Sequence, residues 1–170
     1  SINKFFQTNV NKFLSSIGVV IPKLSKNPKN KEDQIKKGRM KGVVKKYLSV
    51  LDRFDSCKYL ENTERIIDSA GFSIQQPEYF DRREIPEYID VYNNDFLKNY
   101  SDRFTYAFLL DIAPGAVCCP YTSYKDMYNL ADESYRMARD LPQNVRDKLI
   151  YIHHFRTPSI NKIYKKLLPK

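Results

Sequence analysis

The stretch VVKKYLSVLDRFDSCKYLENTERIIDSAG, residues 43–71, governs how the rest of the chain is read. Val43, Val44, Tyr47, Leu48, Leu51, Phe54, Leu60 and Ile67 recur at helical spacing, which predicts one long, half-buried helix running to Gly71, a natural C-terminal cap. Asp52, Asp55, Glu61 and Glu64 interleave with Arg53, Lys58 and Arg65. Mixed signs of this kind make a solvated face laced with weak ion pairs, not a catalytic carboxylate set.

Outward from there the same rhythm recurs. Leu97, Tyr100, Phe104, Ala107, Phe108 and Asp111 share one side of a helix that Asn94 or Asp95 would cap and Pro114-Gly115 would end. Met127, Tyr128, Ala131, Tyr135 and Ala138 make another, broken at Leu141-Pro142, because proline disfavours the helical region for its predecessor yet fits the first turn of the next helix. Val145, Leu149 and Ile152 or His153 continue the stripe to Pro158, and Ser159 caps a last helix with Ile160, Ile163, Tyr164 and Leu167 inward. Three helical stretches, 43–67, 97–111 and 127–167, predict an all-α protein, irregular in assembly. Residues 72–95 lack the rhythm. Pro77-Glu78-Tyr79-Phe80 is echoed by Pro86-Glu87-Tyr88-Ile89, which reads as an extended arm or two proline-opened turns whose aromatics anchor into a partner or the parent domain.

Residues 22–42, with Pro22, Pro28, Gly38 and Gly42 among basic residues, read as a linker, so the expected division is a basic extension at 1–42 and a helical domain at 43–170. Before the linker, Ile2, Phe5, Phe6, Val10, Phe13, Leu14 and Ile17 fall on one helical face with no acid ahead of Glu32. Such a basic amphipathic opening looks like an organelle presequence or a membrane-surface segment, and the first residue, Ser1, is compatible with a processed precursor.

The net charge of +9 is unevenly spread. Residues 1–50 hold twelve Lys or Arg against two acids, residues 51–140 ten against seventeen, and residues 141–170 seven against one. Basic ends suit anionic surfaces such as RNA, lipid headgroups or acidic subunits. Thirteen Tyr and ten Phe without Trp suit contact surfaces as well as a core. Cys57, Cys118 and Cys119 are too few and too awkwardly spaced for a disulfide framework or a zinc knuckle, which points to a reducing compartment. No apolar run reaches the length of a membrane span. Glycine-rich phosphate loops, nucleophile elbows and zinc-binding His pairs are all missing, and the adjacent His153 and His154 diverge on a helix. No catalytic residue, metal ligand or cofactor is therefore nominated.

Lys125-Asp126-Met127-Tyr128, the Ala138, Leu141 and Pro142 helix end, a basic helix with Asn144, Arg146, Asp147 and Arg156, and the closing Leu168-Pro169-Lys170 together resemble subunit 7 of the mitochondrial cytochrome bc1 complex (complex III) over residues 124–170. That resemblance implies a non-catalytic structural subunit, peripheral to the inner membrane on its matrix side, packed against cytochrome b and the large core subunits. Tyr79, Phe80, Tyr88, Tyr128, Tyr135, Arg146 and Arg156 are the candidate partner contacts. An organellar ribosomal or other RNA-binding protein is the alternative, carried by the basic ends and the tyrosines.

Overall fold

The computed structural model describes residues 12–60, 62–110 and 133–152. In chain order these hold β1 (Lys12–Ser16), α1 (Pro28–Lys36), α2 (Val43–Asp55), β2 (Glu64–Asp68), α3 (Gly71–Ile74), α4 (Ile85–Asp90) running on as a π-helical segment Val91–Leu97, β3 (Tyr106–Phe108), α5 (133–139), α6 (Gln143–Arg146) and β4 (Leu149–Ile150). The strands form one parallel sheet in the order β1-β2-β3-β4. The all-α expectation is thereby corrected: the protein is mixed α/β.

The error starts within residues 43–71. Helical spacing is real as far as Asp55, where Val43, Val44, Tyr47 and Leu51 face the core. Ser56 then closes the helix, its amide and hydroxyl both bonding back to the Asp52 carbonyl. Asn62 takes a left-handed conformation at φ 66° and turns the chain. Ile66 and Ile67, β-branched and placed after a turn, enter β2. The supposed C-cap Gly71 instead opens α3.

Two further helices shrink for the same reason. The stretch read as 97–111 stops being helical at Leu97 and supplies β3, and the described part of 127–167 gives α5, α6 and then β4 where a basic helix was expected. Short apolar runs of two to five residues cannot be told from helix fragments by periodicity. Of the amphipathic opening, Phe13 and Leu14 lie in β1 and Ile17 begins a single 3-10 turn. The rest of that opening, Tyr128, Arg156, both histidines, Cys118 and Cys119 lie outside the described residues.

A chain that steps repeatedly in one direction across a parallel sheet, with right-handed crossovers, puts every crossover on the same face. Burial agrees. Ser15, Ile67 and Ala107 point into the helical layer and are buried, whereas Leu14, on the opposite face in register with Ile66, is 61% exposed.

The helical layer is held by rings. Tyr88, Tyr92, Phe96 and Tyr100 follow one another at four-residue steps along α4 and the π-helical segment, stacked with centroids 6.2, 6.0 and 6.4 Å apart. Phe80 meets Tyr88 edge-on at 5.1 Å and Tyr47 meets Phe96 at 5.4 Å. Among the described residues, Tyr47, Tyr88, Tyr92 and Tyr135 thus serve the interior. Three of their hydroxyls find a backbone partner on the sheet: Tyr47 bonds to Ser15, Tyr88 to the Ser69 carbonyl and Tyr92 to the Phe108 carbonyl.

Burial pushes the phenols of Tyr47, Tyr88 and Tyr92 above the ordinary tyrosine range. A raised folded pKa contributes stability that is complete below the unfolded value of about 10 and is lost as pH rises through the folded one. Stability should accordingly be level from neutral to mildly alkaline pH and fall above about pH 10. Phenolate absorbance and circular dichroism followed together check this, since these tyrosines should ionise only as the fold is lost; ionisation that precedes the loss of dichroism would show that the hydroxyls are not held.

The segment read as a linker is built into the domain. Asn27 caps α1, its side chain accepting from the amides of Lys29 and Asn30, with Pro28 in the first turn. Met40 is fully buried, and Arg39 forms a bidentate pair with Glu84, Nε–Oε1 2.7 Å and Nη2–Oε2 2.8 Å, with side chains 8% and 1% exposed. Arg39 also donates to the carbonyls of Pro22 and Tyr79. Gly38 supplies the left-handed turn, φ 64°, that brings the arginine round.

Candidate functional site

In barrels, and at the switch points of open parallel sheets, ligands bind beyond the carboxyl ends of the strands. This sheet runs in sequential order without a switch point, and its carboxyl edge is where the loops after β1 and β2 meet. Here that edge is made by Ser16 of β1, Asp68 of β2 and Phe108 of β3, which stand side by side in the register. Ser16 Oγ donates to Asp68 Oδ2 at 2.6 Å. Asp68 Oδ1 has no hydrogen-bond partner among the described residues. Ser16 also accepts from the Gly18 amide at 3.1 Å, so one hydroxyl joins the loop after β1 to the carboxylate on β2.

Those two loops touch. A Cβ on Gly18 would sit 3.0 Å from Ser73 Oγ and 3.1 Å from both the Ala70 Cβ and Ser16 Oγ, so a larger residue there would have to push these side chains aside. Ala70 carries the turn's backbone strain, standing at φ 62°. Beyond these contacts the loops lift two apolar side chains into solvent: Val19, 69% exposed, and Phe72, 74% exposed. Phe72 lies four residues from Asp68, across the Ser69–Gly71 turn.

The excursion from β1 to α2 is basic and sets out from the same edge, while Lys41 at its end lines a cleft with Lys45, Asp95, Asn99 and Tyr100. Lys23 and Lys31 are paired with Glu78 and Asp81. Lys26, Lys29, Lys36, Lys37, Lys41, Lys45 and Lys46 are exposed and have no ion pair among the described residues. Glu32 answers Arg83, whose guanidinium beside it holds its carboxyl below the usual range. Arg83 also leads in holding the Asp81 carboxyl well below its ordinary value.

The opposite edge is structural. A cleft of about 300 Å³ there is lined by Asp55, Arg65, Arg103 and Thr105 among others, but its cations are spoken for. Arg65 pairs with Asp55, Arg103 bonds to Asp52 and Asp55 at 2.8 and 2.7 Å, and Lys148 donates to the Ser101 carbonyl at 2.6 Å. These bonds tie α2, β2, β3 and β4 together.

The partner contacts expected from sequence fall elsewhere. Phe80 and Tyr88 are buried in the ring stack, and Tyr135 packs on Tyr151 with its hydroxyl on the Ile152 carbonyl. Tyr79 lies under the Lys23 ammonium. Arg146 bonds to the Arg139 carbonyl and Gln143 on its own connection. Of these residues only Tyr88 comes near Asp68, its hydroxyl donating to the carbonyl of the adjacent Ser69. The reading of the sequence missed Asp68, Ser16 and Phe72; the signal for them was Asp-Ser-Ala-Gly-Phe at 68–72, small residues directly after a β-branched pair.

Among the described residues no cluster of His, Cys, Asp and Glu could hold a metal ion, and no helix is long and apolar enough to cross a membrane. Comparison with protein-family models, with curated proteins and with solved structures finds no match.

Proposed function

We propose that the chain is a nucleic-acid-binding α/β domain. Phosphates lie along the lysine-rich excursion between β1 and α2, and one unstacked base is received at the strand ends. The observation that carries this is the combination, in one small domain, of a basic stretch with an exposed ring and a carboxylate. Seven exposed lysines without an ion pair among the described residues run from the excursion into the first turns of α2, and an exposed aromatic ring and a carboxylate stand at the strand ends. Lysines on one face supply the sequence-independent phosphate term. Phe72 offers a stacking surface, and Asp68 Oδ1 an acceptor for a ring N–H or an exocyclic amine, held at a set angle by Ser16.

Titration of a labelled single-stranded oligonucleotide tests the reading. Phe72→Ala should cost about 1–3 kcal/mol of binding, the usual worth of one stacked base, with Asp68→Asn weakening binding in the same direction. Affinities unchanged in both variants would sink the proposed site.

The structural-subunit reading has one observation in its favour. Helix α5, the break at Leu141-Pro142 and α6 follow the order expected from the resemblance to the complex III subunit, with Ala138 and Leu141 buried. Against it, Leu149–Ile150 is a strand of the sheet in place of the basic helix. Complex III partners and a matrix-side location on the inner membrane remain attached to that second reading.

A further inference from the structure

We infer that Tyr88 is a positioning residue for the edge site, its hydroxyl fixing the turn that sets Asp68 and Phe72 relative to each other. The inference rests on the proposed base-binding role of that edge.

The paired residues of β2 end at Asp68, and the next carbonyl, Ser69, is met by a side chain: Tyr88 Oη donates to it at 3.0 Å. A second tie on the turn is Ser69 Oγ, which donates to the Leu109 carbonyl at 3.3 Å. Between Asp68 on one side and Phe72 on the other stand only Ser69, Ala70 in its left-handed conformation and Gly71. A turn that contains a strained alanine and a glycine keeps its shape only if its surroundings over-determine it. The Tyr88 hydroxyl is placed to do so.

The ring that carries the hydroxyl is fixed independently of it. Tyr88 is fully buried, edge-on to Phe80 at 5.1 Å and stacked on Tyr92 at 6.2 Å. Tyr88→Phe therefore removes the tie while leaving the ring in place. Tyr92 provides the matched control: it is equally buried, and its hydroxyl donates to a strand carbonyl, Phe108, that does not lie on the Asp68–Phe72 turn.

The test measures the ratio of affinities for a single-stranded oligonucleotide and for an abasic oligonucleotide of the same length, which isolates the base from the phosphates. A general loss of stability moves both affinities together and leaves the ratio alone. In the full chain, Tyr88→Phe should lower the ratio roughly two- to tenfold, the worth of one hydrogen bond, and Tyr92→Phe should leave it unchanged. A ratio equally affected, or equally unaffected, by the two variants overturns the positioning role. If Tyr88→Phe does not fold, Ser69→Ala removes the second tie on the turn and should lower the ratio; an unchanged ratio there overturns the proposal. A wild-type ratio near one removes the base-binding reading itself, an outcome distinct from a wild-type preference that Tyr88→Phe preserves.

Discussion

Replacing Glu84 by alanine lowers stability by about 3–5 kcal/mol, because it strands a buried guanidinium. Arg39 and Glu84 are almost wholly out of solvent, and Arg39 has turned from water to face two carbonyls as well as the carboxylate. Glu84 has a second duty. Its Oε2 accepts from the Asp81 amide at 3.0 Å and completes a capping box ahead of α4, so the variant frays a helix start while exposing the charge imbalance. With total stability of a domain of this size at about 5–15 kcal/mol, the loss is a large share. Urea unfolding checks it. The double variant Arg39→Met, Glu84→Leu should recover much of the loss, because removing both charges ends the desolvation problem. A Glu84→Ala change within about 0.5 kcal/mol of wild type, the ordinary range for surface substitutions, would show that the pair is solvated.

The second large effect concerns the lysines. Changing Lys26, Lys29, Lys36, Lys37, Lys41, Lys45 and Lys46 together to glutamine should nearly abolish binding to single-stranded nucleic acid at physiological salt while leaving the unfolding midpoint close to wild type. These side chains are exposed and make no ion pair among the described residues, so the fold loses little. Counterion release makes the expectation quantitative: each phosphate contact contributes a slope of about −0.7 in log affinity against log salt for a single strand. A wild-type slope of roughly −3 to −5 should flatten toward zero in the variant. An unchanged slope would place the phosphate contacts elsewhere.

Only parts of the helical architecture were legible and the sheet was not: residues 72–95, expected to be irregular, take in most of α3, all of α4 and most of the π-helical segment, and residues 22–42, expected to be a linker, hold α1. Periodicity located α2 correctly at its start, and Pro142 marked the break before α6, because both signals are local. Of the two prolines expected to open single turns or lie in an extended arm, Pro86 sits in the first turn of α4 while Pro77 opens no helix. The strands are only two to five residues long, and their pairing partners begin at residues 12, 64, 106 and 149. Pairing over such separations leaves no mark in a window of a dozen residues. The recurrence of short β-branched or aromatic runs between helical stretches, Phe13–Ile17, Arg65–Asp68, Tyr106–Leu110 and Leu149–Ile152, was the available sign of an alternating α/β chain.

The candidate site was hidden for a related reason. Ser16 and Asp68 are 52 residues apart and meet only because β1 pairs with β2 in that register. Tyr79, Phe80 and Tyr88 were recognised as anchors, yet composition cannot say whether an aromatic anchors a partner or the domain's own core. The Asp81–Glu84 capping box was readable as Asp-Arg-Arg-Glu, and the proline echo around it drew attention away.

The claim that nucleic acid is received at the carboxyl edge of the sheet is tested most directly by photo-crosslinking. A single-stranded oligonucleotide carrying one photoreactive base is irradiated with the full chain, and the attached peptide is identified by mass spectrometry. The account predicts attachment of the base within the loops after β1 and β2, at Val19 or Phe72 and their immediate neighbours, and loss of that product in Phe72→Ala. Attachment at the cleft of Arg65 and Arg103 on the opposite edge, or base attachment that Phe72→Ala leaves untouched, would contradict it.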